Sequence, residues 1–334
     1  GKPIETRGYS IDYNGIVWVA VGQGSGNTIA FSYDGIHWEG IGKTIFSLKG
    51  LHIKYESNMW VACGEGTNRL AYSFNGTTWY PGRTTTHTNT TNIFSTRAKC
   101  TAYNGMVWVA VGIGTNSIAY SEDGITWIGL GVADLANGYS VACDGTKFIV
   151  AGDDSSGDGK MLSSNNGKDW TNIAGISTLF NTRVAGICCD GNNTWCATGR
   201  DNNYMAYSKD NGITWTAISN PVFTGMGNSN INWDGNYFFA TTDAGDNLTA
   251  KSKDGVTWQA VNVFTDAGGT VISNYHKRNR ITFSKNISVT GGKGDDYSIA
   301  YTTGLYDISN IGLQWTGVSG SNDILAQCND IAHN

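Results

Sequence analysis

The side chains best suited to chemistry are carboxylates in the short links that follow the most apolar segments of the chain. Two carboxylates at a fixed separation can hydrolyse a glycosidic bond, one as the acid and the other as base or nucleophile. The acidic link residues are Glu65, Asp153, Asp154, Asp158, Asp201, Asp243, Asp246, Asp295 and Asp296. Hairpin links are ordinarily polar as well, so a hydrolase and a purely structural interpretation both stay open.

Arginines are spread along the whole chain, so several of them could converge in the folded protein. A guanidinium group offers a planar fork of donors that matches a carboxylate. The arginines are Arg7, Arg69, Arg83, Arg97, Arg183, Arg200, Arg278 and Arg280. Their scatter also fits ordinary surface residues. The sequence shows no basic stripe of the kind that nucleic-acid binding requires, so we expect no nucleic-acid partner.

Histidines, cysteines and glycine motifs give no pattern for a metal or a cofactor. The 5 histidines have no zinc-type spacing, and the Gly-x-Gly links join two strands rather than opening a helix. Most of the 7 cysteines fall in predicted strands, where we expect small buried core residues rather than a disulfide framework. We therefore predict no metal site and no cofactor.

A turn-forming cluster followed by tryptophan recurs along the chain at intervals of about forty to sixty residues, which is typical of repeat proteins. The clearest copy runs from Ser208 to Trp215. The other copies are Ser32 to Trp38, Ser73 to Trp79, Ser121 to Trp127, Ser164 to Trp170, Ser252 to Trp258 and a degenerate copy that ends at Trp315.

Each repeat contains the pattern of four short strands. The first strand ends in an Asn-Gly or Asp-Gly turn, as at Asn14-Gly15, and the second is almost entirely apolar, as in Val17–Gly22. A Gly-rich link leads to the third strand, and the fourth begins near the tryptophan. The pattern predicts an all-β, seven-bladed β-propeller of four-stranded antiparallel blades, with a solenoid as the alternative. We expect one propeller domain over residues 1–334, which could belong to a longer repeat protein.

The recurring cluster has a local structural role. An Asp or Asn side chain accepts hydrogen bonds from the backbone of its own turn, a glycine takes a positive φ, and the tryptophan fills the space between sheets. We therefore assign a structural role to Asp34, Asp123, Asp210, Asp254, Trp38, Trp79, Trp127, Trp170, Trp215 and Trp258.

The Ser-x-Asp-x-Gly-x-Thr-Trp pattern of Ser208–Trp215 resembles the Asp box, or BNR repeat, of sialidase-type propellers. The other copies are shorter or carry Asn, as at Asn75 and Asn166. The resemblance implies turns on the rim, between third and fourth strands and away from the binding face. A sialidase would also need clustered arginines, a tyrosine–carboxylate nucleophile and an acid, and the family's Arg-Ile-Pro segment is absent here. The Val-Trp-Val-Ala-Val-Gly and Ile-Ala-Tyr-Ser segments are similar to repeats of large-virus and phage proteins.

The function that we predict is binding or structural rather than enzymatic. Only 15% of residues are charged, the net charge is −5, and no apolar run is long enough to span a membrane. We expect recognition of a glycan or a protein at a secreted or virion-associated surface. A sialidase-like glycoside hydrolase or lyase at the central mouth and an assembly scaffold are the alternatives.

The predicted ligand-binding residues lie in the links between second and third strands, because these links share one face of a propeller. They are Asn27, Arg69, Asn116, Asp154, Arg200, Asp201 and Asp246. The link from Tyr80 to Arg97 is longer than its equivalents and rich in hydroxyl groups. It is either a binding loop or an insertion without a role in binding.

Overall fold

Apolar strands and glycine-containing turns alternate through the described part of the computed structural model. It describes residues 4–84, 93–132, 134–200, 203–218, 222–223, 225, 229–242, 249–260, 278–283, 288–292, 299–302 and 316–317. The Asn-Gly turns close the first hairpin of a repeat. At Asn14, for example, Oδ1 accepts the amides of Ile16 and Val17 at 2.9 and 2.7 Å, which aligns the two strands for pairing.

Consecutive strands pair antiparallel within each repeat. The first sheet contains β1 (Arg7–Tyr13), β2 (Trp18–Gln23), β3 (Ile29–Ser32) and β4 (Glu39–Gly42). The second contains β5 (Lys49–Glu56), β6 (Met59–Glu65), β7 (Leu70–Ser73) and β8 (Tyr80–Pro81). Strand β9 (Arg83–Thr84) follows, and the next sheet contains β10 (Arg97–Tyr103), β11 (Trp108–Ile113), β12 (Ile118–Ser121) and β13 (Thr126–Gly129).

The same meander continues through the second half of the chain. Its strands are β14 (Asn137–Cys143), β15 (Phe148–Asp153), β16 (Gly159–Ser164) and β17 (Thr171–Asn172), then β18 (Val184–Cys189), β19 (Trp195–Gly199), β20 (Met205–Ser208) and β21 (Thr216–Ala217). The last strands are β22 (Ser229–Trp233), β23 (Phe238–Thr242), β24 (Thr249–Ser252), β25 (Gln259–Ala260), β26 (Arg278–Phe283), β27 (Ser288–Gly292), β28 (Ile299–Thr302) and β29 (Thr316–Gly317). One short helix, α1 (Ile176–Leu179), lies between β17 and β18.

The first strand of every sheet lies at the centre of a ring. Strands β1, β5, β10, β14, β18, β22 and β26 contact one another in chain order, and β26 also contacts β1. The core lies between neighbouring sheets. Val61 of β6 and Trp108 of β11 share one buried cluster, for instance. Burial of both faces explains why the second strands are mostly apolar, since each buried large apolar side chain contributes about 1.5–3 kcal/mol.

The prediction of seven four-stranded antiparallel blades is wrong. Six of the sheets are four-stranded antiparallel blades, not seven, and the sheet that contains β10–β13 has a fifth strand, β9, paired parallel to β13. The chain leaves β8 at Gly82, whose amide still bonds the Leu70 carbonyl, and the amide of Arg83 then bonds the Ile125 carbonyl of the next sheet. The start of the long link after Tyr80, Arg83–Thr84, therefore forms part of the next sheet, and a repeat period cannot show such an exchange. Residues 85–92 of this link lie outside the described residues.

The turns between third and fourth strands have one recurring geometry. In the turn from Ser121 to Trp127, the amide of Gly124 donates to Ser121 Oγ at 2.9 Å, and Asp123 Oδ1 accepts two further amides. Equivalent bonds occur at Asp34, Asn75, Asn166, Asp210 and Asp254. Gly124 has φ +70°, and a Cβ there would lie 2.5 Å from Met59 Sδ, so the turn requires glycine.

The tryptophans of these turns lie at the outer strands. Trp127 is buried, Trp79 and Trp258 are 8% exposed, and Trp38, Trp170 and Trp215 are partly buried. Four of the indole N–H groups, those of Trp38, Trp79, Trp215 and Trp258, donate to the carbonyl of the turn glycine, as Trp79 does to Gly76 at 2.9 Å. The indole N–H of Trp170 is buried without a hydrogen-bond partner. Trp315 lies outside the described residues. Among the described cysteines all six are free thiols.

Candidate functional site

The side chains of two predicted ligand-binding residues, Asn27 and Asn116, form hydrogen bonds with the backbone of the protein itself. Asn27 Oδ1 accepts the amide of Gly42 at 2.8 Å, and Asn116 Oδ1 accepts the amide of Gly131 at 2.8 Å. Asn116 Nδ2 also donates to the Ile93 carbonyl at 2.5 Å. These amides hold the end of a fourth strand against the link before the third strand.

The side chains of Arg69 and Asp154 likewise form hydrogen bonds with backbone groups. The Arg69 guanidinium donates to the Gly66 carbonyl and to the Ser95 carbonyl, the latter at 2.9 Å. Asp154 Oδ1 accepts the amides of Ser156 and Asp158 in its own turn at 2.8 and 3.1 Å. Arg200 is exposed and lines a cavity described below, whereas Asp201 and Asp246 lie outside the described residues. A ligand-binding role for all of these residues stays a prediction.

A cavity of about 310 Å³ lies among the starts of the central strands, and we call it the central cavity. Each of six central strands contributes to its wall, so the residues come from distant parts of the chain. Its lining is Arg7, Tyr9, Lys49, Leu51, His52, Arg97, Lys99, Cys100, Tyr139, Ser140, Arg183, Ala185, Ser229 and Asn230. Strand starts pair with the ends of second strands, as Arg7 pairs with Gln23, so the cavity shares a face with the links between second and third strands.

The central cavity is cationic. Arg7, Lys49, Arg97, Lys99 and Arg183 line it, and no carboxylate is among the described lining residues. Glu65 flanks this group, with Oε2 3.5 Å from Arg97 Nη1 and 3.9 Å from Lys49 Nζ. Glu65 thus neutralises part of the charge of these five cations, and the excess positive charge is available to an anionic ligand.

The surroundings of Lys99 in the central cavity lower the pKa of its ammonium group. Burial, followed by repulsion from Arg97 and Arg183, lowers the pKa of Lys99 to about 8. Glu65 opposes the shift and Lys49 adds to it. A bound anion would favour the protonated form, so anion binding and protonation of Lys99 should reinforce each other.

Two tyrosines add flat surfaces to the wall. The Arg7 guanidinium carbon lies 5.1 Å from the Tyr9 ring centre, and that of Arg183 lies 5.4 Å from the Tyr139 ring centre. The Tyr139 hydroxyl donates to Asp153 Oδ2 at 2.8 Å, while Asn137 Nδ2 donates to Asp153 Oδ1 at 2.7 Å. Burial and the hydrogen bond to Asp153 raise the pKa of Tyr139, which keeps it a neutral phenol at physiological pH.

A second cavity adjoins the first, and we call it the side cavity. It is lined by Tyr139, Asp153, Gly157, Thr182, Arg183 and Arg200. Tyr139 and Arg183 therefore belong to both walls. An extended ligand could occupy both cavities at once.

Our sequence reasoning missed the cations of the central cavity, apart from naming the arginines as a possible cluster. The equivalent positions of several of these residues in the repeats indicate the site. Arg7, Lys49, Arg97 and Asn137 occupy the same position before a β-bulge in four repeats. A bulge directs neighbouring side chains differently from a regular strand. Residues at this repeat position therefore lie at equivalent places around the centre of the ring.

Within the described part of the chain, no three His, Cys, Asp or Glu side chains are grouped so that they could hold a metal ion. No helix among the described residues is long and apolar enough to cross a membrane.

Solved structures resemble this fold closely, although sequence comparisons find no relative. No family model matches the chain, and no curated protein matches it. A GH74 xyloglucanase from Xanthomonas campestris aligns with a TM-score of 0.67 and 13% identity over 96% of this chain and 55% of that one. This chain therefore spans about half of the xyloglucanase chain.

Two smaller proteins give similar alignments. Virginiamycin B lyase from Staphylococcus aureus has a TM-score of 0.63 and 12% identity over 87% of this chain and 93% of that one. YCF48 bound to D1 peptide has a TM-score of 0.60 and 14% identity over 90% and 94%. Such identities support the β-propeller fold alone, a fold that serves peptide binding, hydrolysis and elimination in these neighbours. The similarity to Asp-box and virus repeats that we predict is not confirmed.

Proposed function

We propose that this protein is a non-enzymatic binding propeller whose central cavity binds the acid group of a glycan. The observation that carries the proposal is the convergence of five cationic side chains without a carboxylate among the described lining residues. Charge-assisted hydrogen bonds from arginine to carboxylate are among the strongest polar contacts in proteins. In a partly desolvated cavity they gain further strength from the lower local dielectric.

A sugar fits the lining better than a peptide does. Tyr9 and Tyr139 supply flat rings on which a pyranose could pack, and Ser140, Ser229 and Asn230 supply polar groups for its hydroxyls. The cavity lies at strand ends rather than along an open strand edge, so a peptide could not add to the sheet as an extra strand. A volume of about 310 Å³ is at the small end for ligand sites and suits a terminal or branching sugar unit.

A sialidase-like hydrolase is the second candidate, because Arg7, Arg97 and Arg183 line one cavity beside the Tyr139–Asp153 hydrogen bond. A tyrosine nucleophile would pass its proton to Asp153. Two observations favour binding instead. The pKa of Tyr139 is raised, and the described lining of the central cavity offers no second carboxylate as the acid.

A glycan array combined with a fluorogenic glycoside screen tests the proposal. We expect binding to glycans that carry uronate, sialate or sulfate groups, no binding to their neutral counterparts, and no turnover. Arg97→Gln should abolish the signal, whereas Arg83→Gln, which removes the same charge from an exposed site on outer strand β9, should preserve it. Selective binding of acidic peptides would contradict the proposal. Turnover that Tyr139→Phe abolishes would establish the hydrolase instead.

A further inference from the structure

The residue that ends or directly follows a second strand lies opposite the residue that begins or directly precedes the central strand of the same sheet. Four sheets place a neutral or acidic residue in that position. The pairs are Arg7 with Gln23, Lys49 with Glu65, Arg97 with Ile113, and Asn137 with Asp153. In these sheets a cation therefore never faces a second cation.

The sheet of β18–β21 breaks this rule. The amide of Arg200 donates to the Arg183 carbonyl at 3.2 Å, so the two arginines face each other across neighbouring chain segments. Like charges in this arrangement destabilise a sheet. A pair of this kind is expected where a ligand supplies the missing negative charge.

The described residues neutralise this pair only in part. No described carboxylate oxygen lies within the 4.0 Å salt-bridge distance of either guanidinium. Asp153 is the acidic residue of the side cavity, and it keeps its negative charge because its hydrogen bonds come from the neutral Asn137 and Tyr139. The described lining of the side cavity thus sets one carboxylate against two guanidinium groups, which leaves positive charge in excess. Arg183 Nε is buried without a hydrogen-bond partner.

We propose that Arg183 and Arg200 form a second anion subsite in the side cavity, so that the ligand is an oligosaccharide with acid groups on at least two nearby units. This inference rests on the proposed function, since it extends the same site. Arg183 lies in both walls and would contact the ligand between the two acid groups. Tyr139 also lies in both walls and gives the connecting sugar a ring to pack against.

Titration calorimetry with galacturonic acid and its α-1,4-linked tetramer tests this subsite. We expect the wild-type protein to bind the tetramer at least tenfold more tightly than the monosaccharide. Arg200→Gln should remove that advantage and leave the affinity for the monosaccharide within twofold. Arg97→Gln should weaken the binding of both ligands, and the matched control Arg83→Gln should change neither.

The outcomes separate this inference from the proposed function. If the monosaccharide binds in an Arg97-dependent way but the tetramer gains nothing, or gains it without Arg200, the second subsite is wrong and the proposed function stands. If neither sugar binds the wild-type protein, both fail. Circular dichroism spectra and melting temperatures of the variants show whether Arg200→Gln, an exposed substitution, has left the fold unchanged.

Discussion

Replacement of Asp123 by alanine should destabilise the protein by an amount that the turn geometry sets. Asp123 Oδ1 accepts the amides of Ile125 and Thr126 at 2.8 and 2.6 Å, and the Ser121 hydroxyl donates to it at 2.9 Å. Alanine leaves both amides without this acceptor. Because water reaches the exposed turn and replaces part of the loss, we expect a cost of about 1–2 kcal/mol, as for a lost helix cap.

The chain itself contains the matched control. Asn75 in the second sheet accepts the amides of Thr77 and Thr78 at 3.0 and 2.8 Å, so an amide oxygen can replace the carboxylate. Asp123→Asn should therefore cost less than about 0.5 kcal/mol at neutral pH, since only the charge contribution is lost. Urea unfolding followed by tryptophan fluorescence gives the free energy of unfolding for each variant.

The pH dependence of Asp123→Asn completes this test. Burial raises the pKa of Asp123, but hydrogen bonds from the Thr126 and Ile125 amides and the Ser121 hydroxyl outweigh it and lower the pKa below 3.8. The carboxylate thus contributes stability above about pH 4 and loses it as the pH falls further, so the deficit of Asp123→Asn should shrink in acid. Equal stability of Asp123→Ala and wild type, or equal losses in Asn and Ala variants, would refute this reasoning.

Three further outcomes can be measured with single variants. Gly15→Ala should cost only about 1 kcal/mol, the strain of a left-handed backbone, because a Cβ at Gly15 meets no atom within 4 Å. Gly124→Ala should lower the melting temperature more than Gly15→Ala, because its Cβ would lie 2.5 Å from Met59 Sδ. Affinity for acidic sugars should fall as the pH rises through about 8, where Lys99 deprotonates, and Lys99→Met should bind more weakly without this pH dependence, as titration calorimetry can show. The Thr214 hydroxyl and amide lower the pKa of Asp210 to about 2, so the melting temperature of Asp210→Asn should change less than that of wild type as the pH falls from about 4 to about 2.

Local patterns in the sequence predict the strands and turns well, because their causes lie within a few residues. Asn14-Gly15 and Ser121–Trp127 fold through bonds to their own neighbours. The count of four-stranded blades was wrong because β9 pairs with β13 of the next sheet, a contact that no local pattern encodes.

The site was harder to predict, because chemistry in a propeller depends on which repeat positions face the axis. The shared face of the links between second and third strands predicts ligand binding by Asn27 and Asn116, yet their amide oxygens accept backbone hydrogen bonds. Arg97 and Arg183 are far apart in sequence and line one cavity, because each lies at or beside the start of a central strand. Alignment of the first strands brings Arg7, Lys49 and Arg97 to one repeat position, since each directly precedes the small residue at a bulge.

A crystal structure of the protein with galacturonic acid tests the binding site most directly. The account predicts that the sugar carboxylate lies in the central cavity within hydrogen-bond distance of Arg97, Lys99 or Arg183, with the pyranose ring against Tyr9 or Tyr139. A sugar bound only on the rim turns, or a central cavity that holds only solvent at saturating sugar, would contradict it.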